Sequence, residues 1–463
     1  MLDFILNILA TPAMLVGIMA LVGLVLQGKP IEDVVRGTVK TIVGFLVLSA
    51  GAGFLTGGSL NAFGELFNYA FNMQGVVPNN EAVVALALKD FGLATSYIMV
   101  LGLVLNVVLA RFSKLNFIFL TGHHSLYMAC MIAVVLSVGG LEGFPLYLAG
   151  GCLLAFVSAF SPWFLQSTME KIVETDELGF GHFGGFGYWV SAQVGKLFKG
   201  SKSTEDINFP QRLTFLRDTT VSIGLTMVVF FLIVTAISVG RGVLDADPAG
   251  FGHLSDLLVA GETKIHWAVW AITKGLSFSG AIYIILSGVR LIVGEMVPAF
   301  KGIAEKLVPG AIPAIDCPVV YPYAPNAVLI GFLVSFLGGI VGLLVLGAMN
   351  NAGIAIAMIL PGVVPHFFCG ASAGVFGNAE GGIKGAVLGS FIHGLLITFL
   401  PAIVMPVFGT LGFANTTFSD ADFSWMALVF GNIAAAVKGI PLLVICVAVY
   451  LAPIALSLVT RKK

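Results

Sequence analysis

Charge is what this sequence has least of. Asp, Glu, Lys and Arg make up 10% of its 463 residues, while 58% are hydrophobic. A soluble domain carries about 25% charged residues, so a water-facing globule of this length is excluded. A Walker A pattern is also missing, which excludes ATP hydrolysis by the chain itself as its source of energy. There is no basic stripe, and nucleic acid is thereby excluded as a partner. The cysteines number five: Cys130, Cys152, Cys317, Cys369 and Cys446. Their odd number, apolar surroundings and spacing fit packing side chains, not a disulfide framework or a metal site. The opening MLDFILNILA has neither the basic stretch nor the cleavage site of a secretory signal. It reads as the start of a first span.

Long apolar runs are what the sequence has instead. Residues 4–26, 221–239 and 442–459 are apolar on every side. A bilayer-spanning helix needs roughly 20 such residues, whereas barrel strands alternate polar and apolar positions. The runs therefore predict an all-α membrane protein of about 11 transmembrane helices. They lie near residues 4–26, 36–55, 94–110, 116–138, 143–161, 219–240, 264–288, 325–348, 353–378, 385–409 and 439–460. Basic residues mark the cytoplasmic side. Lys29, Arg36, Lys40, Arg111 and Lys114 follow spans, and the polar segment 196–217 holds Lys196, Lys199, Lys202, Arg212 and Arg217. Segments 245–262 and 415–422 have acids and no Lys or Arg, and are expected outside. The N-terminus then starts outside and the Arg461-Lys462-Lys463 tail ends in the cytoplasm, which an odd number of crossings satisfies.

Other apolar stretches are interrupted. Residues 61–72 and 295–307 are amphipathic, and 179–199 opens with the glycine-rich GFGHFGGFGYW. Pro309, Pro313, Pro318, Pro322 and Pro325 forbid a continuous helix through that segment. Broken backbone inside a bilayer survives only where protein or a wet cavity covers it. The interruptions also recur. An amphipathic stretch, a broken segment, a span and then LTGHH in the first half match the same order ending in LPGVVPHFF in the second. The offset is roughly 240 residues, and opposite span directions make the copies inverted repeats, an arrangement that surrounds a shared site in transporters.

Ionisable residues inside such segments are costly and need a reason. His123 and His124 sit in LTGHH, His182 in the glycine-rich stretch, Asp316 between two prolines, and Asn79, Asn80 and Glu81 after Pro78. Asp316 and Glu81 are equally suited to cap half-helices, and His124 to bond a backbone carbonyl. His366 and His393 read as packing groups or repeat relics, His253 and His266 as solvated. Imidazoles, a carboxylate and open backbone suit a small polyhydroxylated or weakly acidic ligand. An alternative is a secondary transporter in which Asp316 and Glu81 bind protons or Na⁺.

The motifs RGTVKTIVGFLVLSAGAGFL, LTGHH, GFGHFGGFGYW and AIDCPVVYPYAPNAV, in this order, resemble the membrane component (IIC) of the ascorbate-type bacterial phosphotransferase system, over residues 5–460. The resemblance implies a homodimer of 11-span subunits in the cytoplasmic (inner) membrane. It implies a single transmembrane IIC domain over residues 1–463, in which a core subdomain and a V-shaped dimerisation subdomain interleave, with no fused IIA or IIB domain. The core would carry substrate in an elevator motion. Uptake of L-ascorbate would be coupled to its phosphorylation by a separate phosphocysteine IIB protein charged by IIA. The chain would be the translocating subunit, with no phosphoryl-carrying residue, cofactor or metal of its own. By position, His123, His182 and Asp316 match the family's substrate site, with Asp316 as the catalytic carboxylate, and Gly51 and Ala52 match its backbone approach. Tyr127 and Phe183 stand where some members have glutamines, and Glu81-Ala82 where they have Thr-Tyr, so amide donors are lost and a carboxylate is gained.

Overall fold

The computed structural model describes residues 12–71, 75–207, 215, 218–243, 265–407 and 416–461. Helices occupy the apolar runs, because backbone polar groups in hydrocarbon must pair within their own segment. They are α1 (Pro12–Leu26), α2 (Ile31–Leu55), α3 (Asn61–Phe71), α4 (Asn80–Phe112), α5 (Gly122–Val138), α6 (Gly143–Val173) and α7 (Gly185–Lys196). The chain continues through α8 (Thr219–Gly240), α9 (Trp267–Leu307), α10 (Pro325–Asn351), α11 (Ala371–Val404), α12 (Ala421–Ala436) and α13 (Ile440–Arg461). Among the described residues eight helices are long and apolar enough to cross a membrane. The all-helical, multi-span reading holds.

Several boundaries differ from the sequence reading. The run expected to span from residue 116 opens as a short strand, and α5 starts only at Gly122. The span expected at 353–378 begins after a strand and a turn through Pro361 and Pro365, with a π-helical turn, His366–Gly370, leading into α11. Gly381 and Gly382 then break α11, and Gly382 takes φ +54, which glycine adopts without strain. Helix α12 was not expected at all. It follows a segment read as an external acidic loop, yet Thr416, Thr417, Ser419, Asp420 and Asp422 are buried. Segment 245–262, His253, residues 4–11 and most of 208–217 lie outside the described residues.

Six short strands explain the interruptions. They are β1 (Gly75–Pro78), β2 (Phe117–Phe119), β3 (Gly179–Phe180), β4 (Ile312–Ile315), β5 (Met358–Ile359) and β6 (Thr416–Thr417). They form two parallel three-stranded sheets, ordered β5-β1-β6 and β2-β4-β3. Val76 pairs with Ile359 and Val77 with Thr416 in one sheet, while Phe119 and Gly179 both pair with Ala314 in the other. Strands β1, β2 and β3 recur as β4, β5 and β6, again roughly 240 residues on. Each sheet is centred on the first strand of one half and edged by the second and third strands of the other. The halves therefore exchange strands, and each sheet meets its backbone hydrogen-bonding needs with the other half's chain.

Glycine allows a close helix crossing. A Cβ on Gly374 of α11 would meet Gly331 Cα of α10 at 2.7 Å, so only hydrogen fits there. Elsewhere α9 runs along α2 and α8, forming a separate helical layer. The largest buried cluster joins residues of this layer, such as Phe45, Phe231 and Phe278, to Phe119, Tyr127, Phe183, Phe418 and Phe423 around the strands.

Candidate functional site

All strands within a sheet are parallel, so their C-terminal ends line up at one edge. Past β2 come Thr121, Gly122 and His123; past β4 comes Asp316; past β3 come Gly181 and His182. The edge is fastened by the backbone, with Leu120 N donating to Ala314 O (2.9 Å) and Gly181 N to Ile315 O (2.8 Å). Thr121 Oγ1 also donates to Gly181 O. In the second sheet Asn79, Asn80 and Glu81 follow β1, and Ser419 and Asp420 follow β6. Asn79 N donates to Thr417 O (2.9 Å), and Asn80 Oδ1 accepts from Ser419 N (2.9 Å).

These two edges enclose a cavity of about 150 Å³, lined by Glu81, His123, His124, His182, Asp316 and Asp420, with Asn80, Arg290, Cys317 and Ser419. Each of the six strands contributes lining just beyond its C-terminus, Val364 and Pro365 following β5. Most of these residues also start a helix or helical turn. Asn79 caps α4 by accepting from Ala82 N at 2.7 Å, and Asp316 Oδ1 accepts from Cys317 N at 2.7 Å. Glu81 lies in the first turn of α4, where the helix dipole favours a carboxylate.

Two acid–imidazole groupings result. His123 Nε2 lies 3.5 Å from Asp316 Oδ2, at the more open side, where Asp316 keeps 32% of its side chain exposed. Deeper in, Asp420 Oδ2 lies 4.0 Å from His124 Nε2 and 3.9 Å from His182 Nδ1. Asp420 Oδ1 accepts from Ser419 Oγ at 2.6 Å. The rings of His124 and His182 are 3.9 Å apart. Their hydrogens can be placed by elimination. The Phe183 N–H donates to His124 Nδ1 (3.3 Å), and the Gly184 N–H to His182 Nδ1 (3.2 Å), which also takes Tyr188 OH (2.8 Å). A backbone N–H cannot accept, so both rings carry their hydrogen on Nε2. The ligand atoms of His124, His182 and Asp420 lie close together, and in this arrangement both Nδ1 atoms are already engaged as acceptors. The cluster offers Nε2–H donors and carboxylate acceptors, the complement of a small molecule bearing several hydroxyls.

The sequence-derived residues are placed as follows. His123, His182, Asp316 and Glu81 line the cavity together, and His124 joins them. Tyr127 and Phe183 are buried just behind, Tyr127 with its ring 5.8 Å from that of His123 and Phe183 stacked 4.4 Å from Phe119. The Tyr127 hydroxyl and His123 Nδ1 find no partner among the described residues. Gly51 does not reach the cavity. A Cβ there would meet Ile285 N of α9 at 2.9 Å, so its lack of a side chain serves the α2–α9 crossing. Ala52 follows it on α2. His366 and His393 are buried elsewhere, both bonded through Nδ1 to Ser335 Oγ (2.8 and 3.1 Å). Asp420 was missed. Its signal was the repeat itself, since it falls roughly 240 residues after His182 and so occupies the matching turn.

A larger cavity of about 200 Å³ lies between Phe63, Phe67, Met227, Phe230, Phe278 and Leu343. Its lining is apolar apart from Asn79, so it has little to offer a hydroxylated ligand. The smaller, polar cavity is the candidate site.

Interrupted helices holding a polar cavity inside a many-span helical protein define a membrane permease. The sequence matches, over residues 7–422, the family described as PTS system sugar-specific permease component, and the chain belongs to that family. It is 28% identical over 451 residues to the ascorbate-specific PTS system EIIC component of Mycoplasma pneumoniae, an alignment covering 90% of this chain and 66% of that protein. The chain thus spans just under two thirds of that relative's length.

Proposed function

We propose that this permease takes up L-ascorbate, or a related sugar acid or polyol, and releases it as a phosphate ester. The phosphoryl group would come from a separate phosphocysteine IIB protein charged by IIA. The observation that carries this reading is the meeting of His123, His182 and Asp316, from three different strand ends, in one polar cavity. The name of the Mycoplasma relative supports the substrate. In the transfer, the substrate hydroxyl loses its proton to Asp316 as its oxygen bonds phosphorus. The S–P bond breaks and the partner's cysteine leaves as thiolate. In-line transfer of this kind depends on positioning and charge stabilisation, and the Nε2–H groups of His124 and His182 hold the remaining hydroxyls. Within this reading the chain is a single IIC domain working as a homodimer in a bacterial inner membrane. Its N-terminus is outside and its C-terminus cytoplasmic. The strand-bearing core moves substrate past a dimerisation subdomain as an elevator.

Vesicles containing the purified chain test it. Phosphoenolpyruvate with the soluble phosphotransferase proteins should drive accumulation of ascorbate phosphate, and a proton or Na⁺ gradient alone should not. Accumulation of unmodified ascorbate on a gradient would establish the secondary transporter instead.

The contact for IIB is the segment after α7. Its backbone is pinned: Glu205 carboxylate oxygens accept from Asn326 N (3.0 and 3.2 Å) and Ala327 N (3.1 Å) at the start of α10, and Lys202 O accepts from Ile383 N (2.7 Å) of α11. Lys199 and Lys202 stay exposed on this fixed loop, a geometry suited to an anionic phosphoryl partner. Replacing both by glutamate should slow phosphorylation about tenfold or more at low salt, with the penalty shrinking as salt screens it. Equilibrium binding of ascorbate should hold, and equal loss of binding and phosphorylation would remove this assignment.

A further inference from the structure

Nearly every polar group lining the cavity follows a strand end. Arg290 does not. It lies on α9, which packs along α2 and α8, yet it lines the same cavity as Asp316 and Cys317. Arg290 is exposed and forms no ion pair among the described residues. The acidic side chains in the lining are three, Glu81, Asp316 and Asp420. Two of the three imidazoles, His124 and His182, are held as Nε2–H donors by groups already bonded to Nδ1. Among the described residues, the one permanent cation in the lining is therefore the Arg290 guanidinium.

This imbalance bears on the ligand. Each ionised carboxylate repels an entering anion, and the repulsion is poorly screened in a buried cavity. A neutral polyol meets no such barrier, because its hydroxyls donate to the carboxylates. An acid is admitted only if a cation answers its charge. A guanidinium is always charged, and its planar fork matches a carboxylate or the paired oxygens of an enolate. We propose that Arg290 is the specificity-determining residue of this permease: it pairs with the negative group of a sugar acid while the strand-end residues hold its hydroxyls. The ligand is then gripped from two separate packing layers, α9 on one side and the sheet edges on the other. This inference rests on the sugar-acid reading of the site.

Binding to the purified full-length chain in detergent, with no IIB present, tests it. The absence of IIB separates recognition of the ligand's anion from recognition of a partner's phosphoryl group. Three probes are compared: L-ascorbate, D-gluconate, and L-gulono-1,4-lactone, which has a similar ring and side chain without the acidic enediol. Arg290→Ala should weaken binding of the acids by about tenfold or more, the worth of one charge-assisted hydrogen bond. Binding of the neutral lactone should stay within about twofold. Arg290→Lys should restore part of the loss. Wild-type affinity for the acids in Arg290→Ala, or equal loss for all three probes, would overturn the proposal while leaving ascorbate as substrate. A wild-type chain that prefers the lactone to both acids would overturn the proposal and the sugar-acid reading together. Arginine-dependent binding of gluconate without binding of ascorbate would sustain the proposal and change the substrate.

Discussion

Asp316→Asn is expected to leave a folded protein that binds substrate and scarcely phosphorylates it. Asparagine is nearly the same size, and its Oδ1 can still accept the Cys317 N–H that Asp316 takes at 2.7 Å, so the turn after β4 keeps its cap. What goes is the negative charge 3.5 Å from His123 Nε2 and the capacity to take a proton. A positioned general base contributes on the order of 10²–10⁴ in rate. Formation of phosphorylated product in a single turnover should fall by a factor in that range, while equilibrium binding changes much less. Full phosphorylation by the Asp316→Asn chain would remove Asp316 from the chemistry.

The second large effect falls on a residue outside the cavity lining. Asp422 is fully buried. Its carboxylate accepts from Ser161 Oγ (2.6 Å), Gly185 N (3.2 Å), Phe186 N (2.8 Å) and Trp425 Nε1 (3.1 Å). Two of these donors are the free N–H groups at the start of α7, where a negative charge is also favoured by the dipole. The Asp422 N–H in turn donates to Phe183 O at 2.9 Å, next to His182. One residue of the second half thus anchors the histidine turn of the first. Asp422→Ala strands four donors at once, two of them fully buried, for a loss of about 3–5 kcal/mol. Thermal unfolding in detergent should show the largest drop of any variant considered, with weaker substrate binding as the His182 turn loosens. Asp422→Asn, which keeps one acceptor oxygen, should fall between. An Asp422→Ala chain that melts like wild type would mean the turn is held by something else.

Much of this architecture could be read from the residues. A 10% charge content and long runs apolar on every side exclude a soluble fold. The five prolines from Pro309 to Pro325 mark the broken segment, which is β4 followed by a 3-10 turn at Cys317–Tyr323. The repeat at roughly 240 residues reappears in the strand order of the two sheets. Strands of two to four residues leave no periodicity to detect, so the sheets themselves were not legible. Nor was Asp420. Composition placed 415–422 with the acidic loops, because burial of an acid depends on what folds over it, here the exchange of strands between halves. The sequence suits His124 to bonding a backbone carbonyl. The structure shows its Nδ1 bonded to the Phe183 backbone and its Nε2 facing Asp420, so it is fixed by the backbone and lines the cavity as well. Gly51 shows the reverse: a motif match carried it to the site, and packing against Ile285 accounts for it without a ligand.

The account stands on one physical claim, that the facing sheet edges hold the substrate. Cryo-electron microscopy of the full-length chain, with saturating L-ascorbate and without it, tests that claim most directly. The prediction is ligand density within hydrogen-bonding reach of His182, His123 and the Asp316 carboxylate, on the cavity side of Arg290. Ordered ascorbate elsewhere, for instance in the aromatic cavity between Phe63 and Leu343, with these side chains facing only one another, would contradict it.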